Sequence, residues 1–277
     1  MSRIEIRNIH ITYVNPRDKR ELLAAQELTL RIDSGEFLVI VGPSGCGKTS
    51  LLNVIDGLVE PVEGEILIDG RPVVGPGPDR AMVFQEYALF PWRTVWENVR
   101  FGLEVRKDRR IARPEADALV AEHVRLVGLK GFERAYPHEL SGGMRQRVGL
   151  ARALVTQPRI LLMDEPFAAV DAMTREMMQG ELLRILQSAR ATVVFVTHSI
   201  DEAITLGDRV VVMTSRPGRF KAVLPVELPK PRWEQALKSH PRFLELRDQI
   251  WNLLRDEMAA SEGPDGRPEA GPPGERR

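Results

Sequence analysis

Apolar residues at Ile4, Ile6, Ile9 and Ile11 stand among polar neighbours, with one break in the alternation. They predict one or two half-buried strands. Leu28, Leu30 and Ile32 repeat the alternation, and Gly35 marks a turn. Phe37 to Val41 is a continuous apolar run, as expected of a strand covered on both faces. A glycine-rich loop follows, then Ser50 to Ile55, which predicts a helix ending near Gly57. Gly64 to Asp69 is another alternating strand, closed by Asp69-Gly70. Further strands are expected at Ala81 to Phe84, Ile160 to Met163, Thr192 to Thr197 and Val210 to Met213. Helical patterns lie between the later ones, notably Thr174 to Ala189. Apolar strands alternating with helices imply a parallel sheet with helices on its faces.

From Glu86 to Gln157 the strand signals stop, and the pattern turns helical over Pro114 to Leu129 and Gly143 to Leu154. This stretch is expected to be a helical subdomain inserted into the sheet domain. Beyond Arg216, Pro217, Pro225, Pro229 and Pro231 are expected to interrupt regular structure. Trp233 to Met258 predicts helix with a break near Pro241, and from Ala260 the composition is that of a disordered tail.

The 277 residues suffice for one large domain with a small appendage. The formal net charge of +0 argues against a dedicated nucleic-acid binder. The one cysteine, Cys46, can form no internal disulfide and fits a reducing compartment. The N-terminus has no signal-peptide pattern, and no apolar run approaches the ~20 residues that span a bilayer. A role at a membrane would require a partner embedded in it.

Residues 42 to 49 read Gly42, Pro43, Ser44, Gly45, Cys46, Gly47, Lys48, Thr49 and lead into Ser50. This is a phosphate-binding loop pattern, placed after a buried strand and at the start of a helix. Glycines let successive backbone N–H groups turn toward an anion, and the helix N-terminus adds its dipole. Lys48 supplies charge for β- and γ-phosphates, and the Thr49 hydroxyl suits Mg²⁺. The plain alternative, a glycine-rich turn that happens to contain Lys-Thr, would arise in about one chain in a hundred by composition. Cys46 inside the loop is either a tolerated small residue or a site where alkylation blocks nucleotide binding.

Ile160 to Met163 runs into Asp164 and Glu165. Alternation along a strand gives the two carboxylates different tasks. Asp164 is expected to lean toward Mg²⁺, and Glu165 to face an attacking water as general base. Taken alone, an apolar run before Asp-Glu equally fits a strand ending in a solvated turn. His198, after the strand Thr192 to Thr197, reads as a cap or as a γ-phosphate contact at the carboxyl end of a parallel strand. Gln85 reads as an ordinary strand-end residue or as a ligand of Mg²⁺ or of the lytic water.

Leu140 to Arg147 reads Leu-Ser-Gly-Gly-Met-Arg-Gln-Arg. Ser141 can cap a helix there, with Gly142 and Gly143 leaving amides open to a second anion. One nucleotide needs no second phosphate site, whereas two chains packed head to tail would use it.

With these motifs in sequence order, the chain resembles the ABC ATPase family over nearly all of residues 1 to 230. GPSGCGKT resembles its Walker A motif, ILLMDE its Walker B and LSGGM its signature. Gln85 is similar to the Q-loop residue and His198 to the switch histidine, and Tyr13 matches the aromatic that stacks on adenine. Ala168-Ala169-Val170-Asp171 matches the D-loop, with Ala168 and Val170 departing from the usual residues. The resemblance implies a P-loop NTPase of α/β class, with a mixed sheet core, an antiparallel β subdomain and an inserted helical subdomain at about 86–157. It leaves 231–259 as a C-terminal helical extension and 260–277 as a tail. It also implies ATP and Mg²⁺, a second copy of the chain, transmembrane permease subunits, indirectly a solute-binding protein, and a place on the cytoplasmic face of the membrane. Leu89 to Val99 and Ser215 to Arg219 are similar to the nitrate/sulfonate/taurine importer branch. The aromatic stretch after Gln85 can pack into the core or form a docking groove for a partner helix. The rival functions are a soluble ABC ATPase acting on ribosomes or DNA, and an ATP-gated scaffold without turnover.

Overall fold

The first four strands carry the alternation into the structure. β1 (Ile4–Val14) pairs antiparallel with β2 (Glu21–Ile32) and with β4 (Glu63–Ile68), which pairs with the short β5 (Arg71–Pro72). The break in the isoleucine alternation is a register shift between Ile6 and Ile9 at Asn8, whose φ of 48° is left-handed. It lets Ile4, Ile6, Ile9 and Ile11 all be buried along one continuous strand.

The second sheet has six strands in the order β10-β9-β3-β8-β7-β6. They are β3 (Phe37–Val41), β6 (Arg80–Val83), β7 (Ile160–Asp164), β8 (Thr192–Thr197), β9 (Arg209–Met213) and β10 (Phe220–Pro225). β9, β3, β8, β7 and β6 run parallel, and β10 closes one edge antiparallel to β9. The sheet is therefore mixed, as expected for the fold class. β10 departs from the expectation that the proline-rich stretch interrupts regular structure. An edge strand tolerates Pro225 at its end because the missing N–H need not join a ladder.

Alternation sorts the central strands between two cores. Val39, Phe195, Met163 and Val212 face one hydrophobic cluster with the helices. Leu38, Ile40, Val194, Leu162 and Val211 face the other, shared with α1 (Lys48–Asp56) and the antiparallel sheet. The helical layer contains α2 (Val95–Glu104), α3 (Arg113–Leu126) and α4 (Gly142–Leu154), which pack on one another. α5 (Ala172–Ala189) and α6 (Ile200–Leu206) follow β7 and β8. α7 (Pro241–Ser261) buries Phe243, Leu246 and Ile250 and packs against α6 and β9. It runs through Ser261, so helix continues past Ala260, where the sequence suggested a tail.

The computed structural model describes residues 2–14, 19–85, 88–105, 111–168, 171–189, 191–230, 232 and 235–261. Among these, no helix is long and apolar enough to cross a membrane. The expected tail from 262 onward lies outside the described residues.

Candidate nucleotide site

Five adjacent parallel strands, in the order β9-β3-β8-β7-β6, end on one edge of the large sheet. The loop 42–47 follows β3, His198 follows β8, Asp164 and Glu165 close β7, and Gln85 follows β6. Residues up to 156 positions apart in sequence thus meet because neighbouring parallel strands deliver them to one crevice.

The loop turns through two left-handed glycines, Gly45 at φ 75° and Gly47 at φ 96°, and Gly47 is the N-cap of α1. A side chain on Gly47 would stand 3.0 Å from the Ala24 carbonyl of β2. The antiparallel sheet is therefore pressed against the loop. Lys48 is buried, its ammonium donating to the Gly42 carbonyl at 2.9 Å and the Pro43 carbonyl at 2.8 Å. Its charge is spread over the loop that it also shapes. Thr49 Oγ1 donates to Asp164 Oδ1 at 3.1 Å. Burial pushes the Asp164 carboxyl up; Thr49 opposes that shift and Glu165 adds to it.

Glu165 departs from the strand with φ 42°, and its N–H donates to the Val196 carbonyl at 3.0 Å. A left-handed glutamate costs about 1 kcal/mol and turns its side chain off the line of β7. Its carboxylate lies 3.1 Å from His198 Nδ1. The turn bearing His198 is fixed on both sides. Ser199 N donates to Thr197 Oγ1 at 3.0 Å, and Thr197 Oγ1 donates to the buried Glu202 at 2.5 Å. Burial pushes the Glu202 carboxyl up, with Thr197 and Arg175 opposing.

Ser141 is the N-cap of α4, accepting from Met144 N at 3.3 Å, with Gly142 and Gly143 in the first turn. It belongs to the helical layer, since α4 packs on α2, α3 and β6, while α1 packs on β2, β6, β7 and β8. The structure thus gathers the loop, Asp164, Glu165 and His198, and holds the Ser141 turn on a separate element.

A model of the ABC transporter family matches residues 25–168 of this chain. The chain belongs to the ABC transporter family. An uncharacterized ABC transporter ATP-binding protein of Methanocaldococcus jannaschii is 48% identical over 259 residues, 94% of either chain. The nitrate import ATP-binding protein NrtC of Synechococcus elongatus is 45% identical, over 87% of this chain and 36% of that one. The bicarbonate transport ATP-binding protein CmpC of the same species is 44% identical, over 86% of this chain and 36% of that one. A solved dimeric ATP-binding cassette, in a post-hydrolysis state bound to ADP and Pi, superposes with a TM-score of 0.72 at 32% identity. The match covers 81% of this chain and 99% of that one.

In this ABC ATPase, Tyr13 stands opposite Leu22 on β2, three residues from Ala25, which abuts Gly47. It is 38% exposed, one residue before the end of β1. Gln85 is exposed. Asp171 caps α5 by accepting from Thr174 N at 3.0 Å; this bond holds its carboxyl below the usual range. Ala169 and Val170 of the D-loop lie outside the described residues.

Two side chains in the stretches similar to the importer branch make contacts that the sequence did not show. Asn98, fully buried in α2, accepts from Phe90 N at 2.9 Å and donates to the Phe90, Arg93 and Thr94 carbonyls at 3.2, 2.9 and 3.0 Å. It locks the aromatic turn after Gln85, and only the Thr94-Glu97 capping box beside it had a local signal. Arg216, on the turn after β9, donates through Nε and Nη2 to the Gly45 carbonyl at 3.1 and 3.0 Å. Nothing local in the sequence links residues 171 positions apart.

Proposed function

We propose that this ABC ATPase hydrolyses MgATP to power import of a small solute of the nitrate/sulfonate/taurine type, through ATP-driven closing of a head-to-tail dimer on permease subunits at the cytoplasmic face of the membrane. The observation that carries the reading is the convergence of Lys48, the Thr49–Asp164 pair and the Glu165–His198 pair at one sheet edge. The relatives named for nitrate and bicarbonate transport, and the dimeric cassettes, support the importer and dimer parts.

The chain's own groups divide the work. Lys48 and the loop amides, from Gly42 through Ser50, grip the phosphates, and triphosphate competes with the Gly42 and Pro43 carbonyls for the ammonium. The Thr49 hydroxyl and Asp164 carboxylate, 3.1 Å apart, are hard oxygen donors of the kind Mg²⁺ accepts beside phosphates and water; they would hold it, with Gln85 nearby. Bound there, Mg²⁺ would neutralise charge on the β- and γ-phosphates. Glu165 takes the proton of the attacking water, and His198 orients its carboxylate and contacts the γ-phosphate. Tyr13 stacks on adenine. Ser141, Gly142 and Gly143 of the second chain close over the γ-phosphate, and Asp171 links the two sites. Loss of that phosphate removes the tie between chains, and the dimer opens.

The permease seat is the cleft of about 690 Å³ lined by Phe84, Ala88, Phe101, Val105, Arg152 and Thr156. It adjoins Gln85, and Trp92 is 70% exposed on the turn that Asn98 braces. A solute-binding protein would deliver cargo to the permease from the other side.

Glu165→Gln should lower ATP turnover about 10²–10⁴-fold, the usual weight of a positioned base, while leaving an ATP-stabilised dimer. Phosphate release at the wild-type rate would remove Glu165 from the mechanism. Co-purification of the detergent-extracted chain with a multi-span membrane subunit tests the transport part.

A further inference from the structure

The turn Ser215–Arg219 leaves β9 and passes behind the phosphate loop. Thr214 closes its base, donating from its N–H to the Arg219 carbonyl at 2.9 Å and accepting from Arg219 N at Oγ1 at 2.9 Å. Gly218 bridges to β2, with its N–H on the Ala24 carbonyl at 2.9 Å and its own carbonyl accepting from Gln26 N at 3.0 Å. A Cβ on Gly218 would fall 1.9 Å from the Cys46 carbonyl oxygen, so the two backbones touch. Arg216 holds the preceding carbonyl, that of Gly45, with two N–H groups.

Two consecutive loop carbonyls, of Gly45 and Cys46, therefore face this turn. In a planar trans peptide the C=O and the following N–H point in opposite directions. Holding these carbonyls outward turns the amides of Cys46 and Gly47 toward the inside of the loop, where that of Cys46 rests on the Pro43 carbonyl at 3.4 Å and an anion would compete for it.

The other side of the turn is held by the last helix. Glu257 of α7 accepts from Ser215 N at 3.0 Å and Ser215 Oγ at 3.3 Å, and from Lys221 Nζ at 2.7 Å. Lys221 also donates to the Leu253 carbonyl at 3.0 Å. About two to three turns earlier on α7, Arg247, Asp248 and Trp251 line a cleft with Ser199, Ile200 and Asp201, just after His198. α7 thus holds the turn that backs the phosphate loop and borders the start of the helix that follows His198.

We propose that Arg216 is a positioning residue for nucleotide binding, orienting the loop amides through the Gly45 carbonyl, and that Glu257 of α7 sets its position through Ser215. This rests on the loop being the ATP site. It assigns the C-terminal helix a role in setting ATP affinity, and makes a break of the Glu257–Ser215 contact a means of weakening that affinity.

The test is titration of the full-length chain with Mg²⁺ and N-methylanthraniloyl-ATP, with Lys48→Ala as the non-binding control. Arg216 is exposed, so its replacement leaves the cores intact. Arg216→Ala should weaken binding about tenfold, the weight of one charge-assisted contact, with an unchanged melting temperature. Arg216→Lys should recover part of the loss, because an ammonium cannot reproduce the two-point contact. Glu257→Ala should weaken binding about threefold in the wild-type background and not at all beside Arg216→Ala, as expected of two residues acting in series. Wild-type binding by Arg216→Ala, while Lys48→Ala fails to bind, would overturn the proposal and leave the ATP reading standing. Equal losses from Glu257→Ala in both backgrounds would overturn the link to α7. A wild-type chain that does not bind the probe would remove both.

Discussion

Cys46 lies in the middle of the phosphate loop, yet its thiol is 1% exposed. Burial pushes the thiol up, against the pull of Lys48, whose Nζ lies 3.8 Å from the sulfur. A thiol that is both shielded and protonated reacts slowly. Maleimide labelling at neutral pH should therefore be slow with or without saturating ATP, and rapid ATP-sensitive labelling would contradict this burial. Of the two readings that the sequence left for Cys46, its surroundings favour the tolerated small residue. Asn98 is the opposite case, a polar side chain with no exposure and four bonds to one turn. Asn98→Ala should cost about 1–3 kcal/mol in denaturant unfolding, since it takes the partner from the half-buried Phe90 N–H and Arg93 carbonyl. Asn98→Asp should not rescue it, because a carboxylate cannot donate to the three carbonyls.

Among the elements, those written in local pattern were legible. β3, β7, β8 and β9 are continuous apolar runs, and their buried faces divide by simple alternation. α1 and α4 begin within a residue or two of where the loop and Ser141 placed them. β10 was not legible, because its strand character comes from the ladder with β9 and its sequence is punctuated by proline. The Arg216–Gly45 and Glu257–Ser215 contacts were illegible for the same reason, since topology alone brings those segments together. The Glu257 contact has a pH signature. Burial pushes the Glu257 carboxyl up, but the Lys221 and Ser215 bonds outweigh it and hold the group below its ordinary range. A depressed carboxyl stabilises the fold above the ordinary glutamate value of 4.5, and that contribution is lost as pH falls through its folded value. Glu257→Gln should therefore be less stable than wild type at pH 7 by about 1 kcal/mol in denaturant unfolding, and the gap should close as the pH falls below the ordinary glutamate value of 4.5. A gap independent of pH would mean that the charge of Glu257 contributes nothing.

At the scale of the whole molecule, the sheet edge that carries Lys48, Asp164 and Glu165 and the Ser141 turn sit on different layers of one chain. The proposed dimer follows from that separation. Ser141→Arg should leave MgATP binding to the single chain within about twofold and abolish the ATP-dependent dimer together with hydrolysis, as seen by size-exclusion chromatography and phosphate release. Hydrolysis that persists in Ser141→Arg would mean each chain completes its own site. The motifs of this arrangement were legible because phosphate chemistry demands particular residues at fixed spacing. The bracing around them was not, because many sequences can brace a loop.

α7 is joined to the rest by more than Glu257. Phe243, Leu246 and Ile250 are each at most 1% exposed and belong to the same cluster as Val39 and Phe195 of the central strands. Withdrawing three such side chains from water is worth roughly 1.5–3 kcal/mol apiece. That sum is comparable with the entire margin by which a domain of ordinary size stays folded. A protease nick near His240 would therefore do more than silence a regulatory appendage. It would uncover a greasy seam along β9 and α6, and the remnant should fall out of solution rather than survive as a smaller working ATPase.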